Sequence, residues 1–119
     1  MSRLSDNFLR SEFACKCGCG FDTVDIDTLK IIQSVRDHFE QRIKITSGCR
    51  CEAYNRKIGG SPNSQHLYAR AADIAVENVP ARLVQELLDQ WDVPGLGYYD
   101  NFTHLDTRTG GARWDKRKR

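Results

Sequence analysis

Residues 64–73, SQHLYARAAD, constrain the fold of this chain more than any other stretch. They carry His66 in a polar loop and lead into ADIAV, an apolar run that predicts a buried strand over residues 72–76 with Asp73 near its start. A carboxylate in a buried strand is costly unless a strong partner faces it. The fold must therefore bring such a partner to Asp73 from another part of the chain.

The stretch FTHLDTR, near the end of the chain, offers this partner in His104 and Asp106. Its β-rich composition predicts a strand, and side chains two residues apart in a strand point to the same face of the sheet. His104 and Asp106 therefore share one face. If this strand and the strand over residues 72–76 are neighbours, His66, Asp73, His104 and Asp106 converge on that face.

Imidazole and carboxylate groups are good ligands for zinc, and three protein ligands plus an open position for water are usual in a catalytic zinc site. His66, Asp73 and His104 are the candidate ligands. Each of them also has a plainer explanation, since isolated histidines are commonly surface or core residues. Asp106 could serve only to orient the ring of His104 by a hydrogen bond. Spacing alone leaves a metal site and a purely structural arrangement both open.

The chain as a whole predicts one α+β domain, with a small antiparallel sheet flanked by helices. Apolar residues at three- and four-residue steps predict a helix over residues 26–41, and a second amphipathic helix begins at Pro80. IKIT predicts a strand at 43–46, CEAYNRKI a short helix, and Asp100-Asn101 the turn of a hairpin. Residues 1–24 are expected to be irregular, and residues 110–119 form a basic tail.

Charge and hydropathy exclude several classes of function. The formal net charge is +2, and residues 110–119 hold five Lys or Arg against one Asp. Such a tail suits an anionic polymer, but no aromatic and basic platform supports nucleic-acid binding. No apolar run approaches the roughly 20 residues that span a bilayer. Without an apolar N-terminal signal region, we expect synthesis in the cytoplasm, and we expect a monomer.

The five cysteines are Cys15, Cys17, Cys19, Cys49 and Cys51. An odd number cannot all pair within one chain, and the expected reducing compartment argues against an obligatory disulfide. The C-x-C-x-C spacing also differs from the C-x₂-C of common zinc modules. Two interpretations stay open: buried thiols with one optional link to Cys49 or Cys51, or a structural zinc held by four of the five.

The motif residues together resemble a known family. The pattern S-x-H-x-x-G-x-A-x-D followed by a terminal H-x-D is similar to the signature of zinc peptidases of the D-Ala-D-Ala carboxypeptidase type. These peptidases share a fold group with lysostaphin-like and hedgehog-like domains. The run ITSGCRCEAYNRKIGGSPNSQH is also similar to the corresponding run of peptidoglycan-cleaving members. The resemblance covers residues 8–108, and Ala69 stands where the family usually has glycine.

The resemblance implies that His66, Asp73 and His104 bind Zn²⁺ and that the substrate is bacterial peptidoglycan, cut at its peptide bonds. It also implies that Arg50 stabilises the charge that develops on the carbonyl oxygen. Ser64 would bind substrate or hold its loop. A peptidase of this size without a signal peptide fits a phage endolysin that reaches the cell wall through a pore.

The general base is the least determined part of this interpretation. Relatives often carry an acid three residues before the last histidine ligand, where this chain has Asn101. Asp106, and then Asp100, are the candidates to replace it. The missing acid also favours a first alternative, a hedgehog-like domain that holds zinc and binds without turnover. A second alternative is a phage structural or assembly domain without metal.

Overall fold

The computed structural model describes residues 3–118, which form a five-stranded sheet with the two long helices packed on one face. A two-stranded ribbon of β1 (Arg3–Ser5) and β2 (Phe8–Leu9) precedes a 3₁₀ turn at Arg10–Phe13. The main elements then follow in order, with a second 3₁₀ turn (Gln65–Tyr68) just before β4: α1 (Ile26–Phe39), β3 (Ile43–Ser47), α2 (Glu52–Lys57), β4 (Ala71–Val76), α3 (Ala81–Gln90), β5 (Gly95–Tyr98), β6 (Thr103–Asp106) and β7 (Ala112–Asp115).

The strand order in the large sheet is β3-β4-β6-β5-β7. The first four strands pair antiparallel, as the sequence predicts, and β5 and β6 form the expected hairpin. The exception is β7, which lies parallel to β5 inside the segment that we expected to be only a basic tail. The α+β class is confirmed, with this parallel edge strand as an addition to the predicted sheet.

Both long helices begin and end where local chemistry dictates. The side chain of Asp25 accepts hydrogen bonds from the first turn of α1, and Glu40 ends that helix in a left-handed conformation with φ of 54°. The observed helix is therefore two residues shorter than the sequence period suggested. Pro80 precedes the first residue of α3, where its missing N–H costs nothing.

The core lies between the helices and one face of the sheet. Its main side chains come from α1, α3 and alternate positions of the strands: Leu29, Ile32, Val35, Val84, Leu88, Ile43, Ile45, Ala72, Ile74, Val76, Leu96 and Leu105. Because strand side chains alternate, residues 73, 104 and 106 must point to the opposite face. The sheet therefore keeps one face for packing and leaves the other for the polar cluster.

Candidate metal centre

The polar cluster lies in one cross-strand row of the sheet. Asp73 in β4 is directly opposite His104 in β6, and His104 is opposite Gly97 in β5. Gly97 is in turn opposite Trp114 in β7. The register thus supplies the partner that a buried carboxylate in β4 requires, since Asp73 is only 8% exposed.

His66 reaches this row from the 3₁₀ turn that precedes β4. The hydroxyl of Ser64 caps the turn by accepting a hydrogen bond from the His66 backbone N–H, at 3.2 Å. The Nδ1 of His66 lies 2.6 Å from the carbonyl oxygen of Gly48, so this nitrogen carries a proton and donates it. Its Nε2 is then left with a free lone pair, 3.3 Å from Oδ1 of Asp73.

His104 is held in the same manner by a different acceptor. Its Nε2 lies 2.7 Å from Oδ2 of Asp106, which can only accept a proton from this nitrogen. The other nitrogen, Nδ1, faces Oδ1 of Asp73 at 2.9 Å. Carboxylates in such positions orient metal-binding imidazoles and raise their basicity.

The three side chains His66, Asp73 and His104 therefore converge through ligand atoms that lie within 4.8 Å of one another. With both far nitrogens donating elsewhere, two imidazole lone pairs and a carboxylate oxygen point into one small volume. This arrangement is repulsive unless a proton or a cation lies among the three atoms. Two nitrogens and one oxygen, with space in front of them, match the ligand set of a catalytic zinc site.

The electrostatics of the cluster agree with a cation site. Burial alone would raise the pKa of Asp73, but hydrogen bonds with His104 and His66 hold it well below its ordinary value. Burial would lower the pKa of His104, yet Asp106 and Asp73 together raise it. The cluster thus favours a positive charge between Asp73 and His104, and a divalent metal provides that charge when it displaces the proton.

Arg50 lies at the side of the centre, after β3. Its guanidinium contacts Oδ2 of Asp73 at 3.5 Å, and it also donates to Ser47 and Asn55, at 3.2 and 3.1 Å. The side chain is 12% exposed and borders the cleft in front of the centre. The resemblance assigned Arg50 to the carbonyl oxygen of a substrate, and its position brings it close enough to the centre for that role.

Asp106 occupies a different place from the one expected of a base. It is fully buried beside His104, and Arg108 binds both of its oxygens through Nε and Nη2, at 2.9 and 2.7 Å. These contacts, with burial opposing them, lower the pKa of Asp106 below its ordinary value. Asp100, the other candidate, lies in the hairpin turn, where it accepts from the backbone N–H of Lys118.

The cleft in front of the centre has a volume of about 710 Å³. Besides the three candidate ligands, its lining includes Arg50, Ser64, Tyr99, Phe102, Arg108, Trp114 and Lys116. Among residues 3–118, Asp73 is the one carboxylate that lines this cleft. The other charged residues of the lining are basic, and its remaining residues are aromatic, neutral polar, glycine or aliphatic.

Trp114 is a cleft residue that sequence reasoning missed. Its ring lies 4.8 Å from the ring of His104, its Nε1 donates to the hydroxyl of Tyr99 at 3.0 Å, and Arg108 covers its face at 5.2 Å. A clue existed in the G-x-G of β5. A Cβ on Gly97 would come within 2.5 Å of the Trp114 ring, and one on Gly95 would collide with Asp106. Two glycines on one strand face indicate that large groups cross that face.

A five-stranded sheet that carries a buried His, Asp and His cluster at the floor of an open cleft fits the class of proteins with a metal-binding site. Within that class, the model of the family Peptidase M15 matches residues 6–106 of the chain. The chain therefore belongs to the M15 peptidases, which are zinc-dependent metallopeptidases. No curated protein matches the chain significantly. No helix among residues 3–118 is long and apolar enough to cross a membrane.

Proposed function

We propose that the protein is a zinc peptidase that hydrolyses peptide bonds of bacterial peptidoglycan. One observation carries this proposal: ligand atoms of His66, Asp73 and His104 converge within 4.8 Å of one another, while the far nitrogen of each imidazole contacts another acceptor. The donor set fits zinc, with His66 Nε2, His104 Nδ1 and an oxygen of Asp73 as the ligands.

A zinc ion bound at this centre would supply Lewis acidity, which would lower the pKa of water and polarise the carbonyl of the scissile bond. The chain contributes the groups that position these partners. Asp106, braced by Arg108, fixes the ring and the tautomer of His104. Arg50 holds Asp73 and leaves its cationic face near the cleft, where negative charge develops on the carbonyl oxygen.

The lining of the cleft supports a substrate that carries carboxylates. Arg50, Arg108 and Lys116 line the cleft and give it a positive potential, while Tyr99 and Phe102 stack at 4.2 Å to form an apolar wall. Stem peptides of peptidoglycan carry free carboxylates and small apolar side chains, which suit such a cleft. A phage endolysin that is released to the wall agrees with this substrate.

A second candidate function is a zinc-holding binding domain without turnover. It is favoured by the absence of another carboxylate among the described residues that line the cleft, which leaves the proton acceptor undefined. Asp106 was the expected acceptor, but its contacts favour the orienting role that we propose for it. A metal-free structural domain is the third candidate, and the ligand geometry argues against it.

One experiment separates the three candidates. Purified cell wall is incubated with the zinc-loaded protein, and the soluble products are analysed by mass spectrometry. New peptide amines and carboxylates, absent with His104→Ala, support the peptidase. Sedimentation with the wall without new ends, lost with His104→Ala, supports the binding domain. Protein purified without chelator that contains no metal at the centre contradicts both and leaves the structural domain.

A further inference from the structure

Four of the five cysteines form a second cluster, on the side of the molecule where the N-terminal segment meets α2. Their Sγ atoms all lie within 4.8 Å of one another, and they are Cys15, Cys17, Cys19 and Cys51. Three of them come from one loop, and the fourth lies 32 residues later in the chain, directly after Arg50. The proposed peptidase chemistry uses none of them.

The distances between the sulfurs match the edges of a tetrahedron around one metal ion. The Sγ of Cys15 lies 3.5 Å from that of Cys17 and 3.9 Å from that of Cys51, and the Cys17 and Cys51 sulfurs are 3.7 Å apart. Zinc–sulfur bonds of about 2.3 Å place tetrahedral ligands about 3.8 Å from each other. One ion can therefore contact these sulfurs without any large movement of the backbone.

The backbone of the cysteine loop is folded for this convergence. Gly18 and Gly20 adopt φ of 81° and 97°, a region that favours glycine, so the chain reverses after each of Cys17 and Cys19. The backbone N–H of Cys15 donates to the carbonyl of Phe21 at 2.7 Å and closes the loop. In an extended strand, the cysteines of a C-x-C-x-C run would be spread along one face. The two chain reversals instead bring their side chains toward one point.

Backbone donors already point at two of the sulfurs. The N–H of Cys51 lies 3.5 Å from Sγ of Cys15, and the N–H of Tyr54 lies 3.4 Å from Sγ of Cys51 at the first turn of α2. Hydrogen bonds of this kind stabilise negative charge on sulfur, which is the form that binds a metal.

Cys49 is excluded from the cluster by its own contacts. It is buried, and its single thiol proton has two acceptors within reach, the carbonyl oxygens of Phe13 and Phe21, at 3.2 Å each. The cluster thus takes four cysteines and leaves a fifth as a buried thiol, which explains the odd count without any disulfide. Four sulfur ligands from the protein also leave no open position, so a metal here is structural.

We propose that Cys15, Cys17, Cys19 and Cys51 bind one zinc ion as thiolates, in a structural site separate from the His66 centre. Each thiol that becomes a ligand releases its proton to solvent. The ion joins the loop at residues 15–19 to the N-terminus of α2.

This joint lies next to the peptidase centre. The backbone N–H of Cys49 donates to the carbonyl of Phe13 at 3.0 Å, while Gly48 accepts from His66 and Arg50 donates its N–H to the carbonyl of His66. The loop at residues 47–51 is therefore held by the N-terminal segment on one side and holds His66 on the other. The cysteine zinc fixes the first of these attachments.

The test counts metals in the full-length protein and in variants matched in chemistry. Native mass spectrometry with elemental analysis should find two zinc ions per chain in the wild type. The double variant Cys17→Ser/Cys51→Ser should hold one ion. Cys49→Ser, the control for replacing a thiol, should hold two. His104→Ala should lose the other ion and keep the cysteine zinc, so failure of the peptidase proposal and failure of this one are distinguishable.

Cobalt substitution tests the proposal on the wild-type protein, so the result does not depend on whether the cysteine variants fold. Wild-type protein loaded with Co²⁺ should show strong thiolate-to-metal absorption in the near ultraviolet, which His and Asp ligands do not give. His104→Ala should keep this band. Absence of the band, iron in place of zinc, a disulfide among the four cysteines, or unchanged zinc in the double cysteine variant would each overturn the proposal.

Discussion

Asp106 stands behind His104 as seen from the candidate metal centre, and this position defines what its side chain can do. Its oxygens accept from His104 and from Arg108, and none of its surface is exposed. A proton acceptor for water must reach the cleft, whereas an orienting partner must contact the far nitrogen of the ligand. The contacts of Asp106 are those of an orienting partner.

We therefore expect Asp106→Ala to weaken zinc binding at this centre about 10- to 100-fold, as loss of an orienting carboxylate does. Competition with a chromophoric chelator measures the affinity, with circular dichroism to check the fold. Asp100→Ala is the control, since that carboxylate lies in the turn at the far end of the hairpin. Unchanged affinity with activity lost in Asp106→Ala would instead identify Asp106 as the base.

Ala69 has a backbone conformation that is strained for a residue with a side chain. It has φ of 57° and ψ of 24° at the end of the 3₁₀ turn that carries His66, a left-handed conformation that costs an L-residue about 1–2 kcal/mol. Ala69→Gly should therefore raise the free energy of unfolding by about 1 kcal/mol, measured by urea titration. Ala71→Gly, equally buried but in β4, should lower it by a similar amount. If Ala69→Gly instead lowers the free energy of unfolding, the packing of the Ala69 methyl group contributes more to stability than the backbone strain costs.

At the scale of elements, β5 and β7 have side chains of complementary size where they face each other. Gly97 leaves the space that the indole of Trp114 fills, and Trp114 in turn covers one side of His104. The strand that closes the cleft is therefore held by a contact that any larger residue at position 97 would break.

Gly97→Ala should destabilise the protein by about 1–3 kcal/mol, because its Cβ would come within 2.5 Å of the Trp114 ring. The same substitution should cost far less in a Trp114→Ala background, where the ring is gone. Denaturant unfolding of both single variants and the double variant gives the coupling. Equal costs in the two backgrounds would mean that the strain arises from the strand itself and not from Trp114.

Local chemistry explains which elements the sequence could predict. The helix period of α1, the β-branched run of β3 and the turn at Asp100-Asn101 are properties of short segments, and each was found close to its predicted place. The strand β7 was hidden because its ARWD alternates charges with one aromatic residue and depends on β5 for pairing. The same holds for β1 and β2 in the segment expected to be irregular.

The candidate site also has parts that the sequence could predict and parts that required the structure. Alternation along β6 placed His104 and Asp106 on one face, and the motif joined them to His66 and Asp73. The role of Asp106 required knowing which nitrogen of His104 it contacts, and that depends on a rotamer. The meeting of Cys51 with the loop at residues 15–19 required the tertiary fold, because no local period relates segments 32 residues apart.

At the scale of the whole molecule, the two proposed metal sites lie at the ends of one connected structure. The loop at residues 47–51 links them, since Gly48 accepts from His66 and Cys51 belongs to the cysteine cluster. An ion bound at either site would need a geometry that the unfolded chain lacks, so its binding free energy would add to stability. A 119-residue domain with a modest core gains substantially from two such contributions.

We expect removal of metal by a chelator to lower the melting temperature markedly, and added zinc to restore it. A site with free zinc at about 1,000 times its dissociation constant contributes about 4 kcal/mol. His104→Ala should retain a large part of this chelator sensitivity, because the cysteine site remains, whereas Cys17→Ser/Cys51→Ser should retain only the part due to the His66 centre. Calorimetry with and without chelator on the three proteins measures both parts. If His104→Ala melts at the same temperature with and without chelator, the stabilising metal belongs to the His66 centre alone.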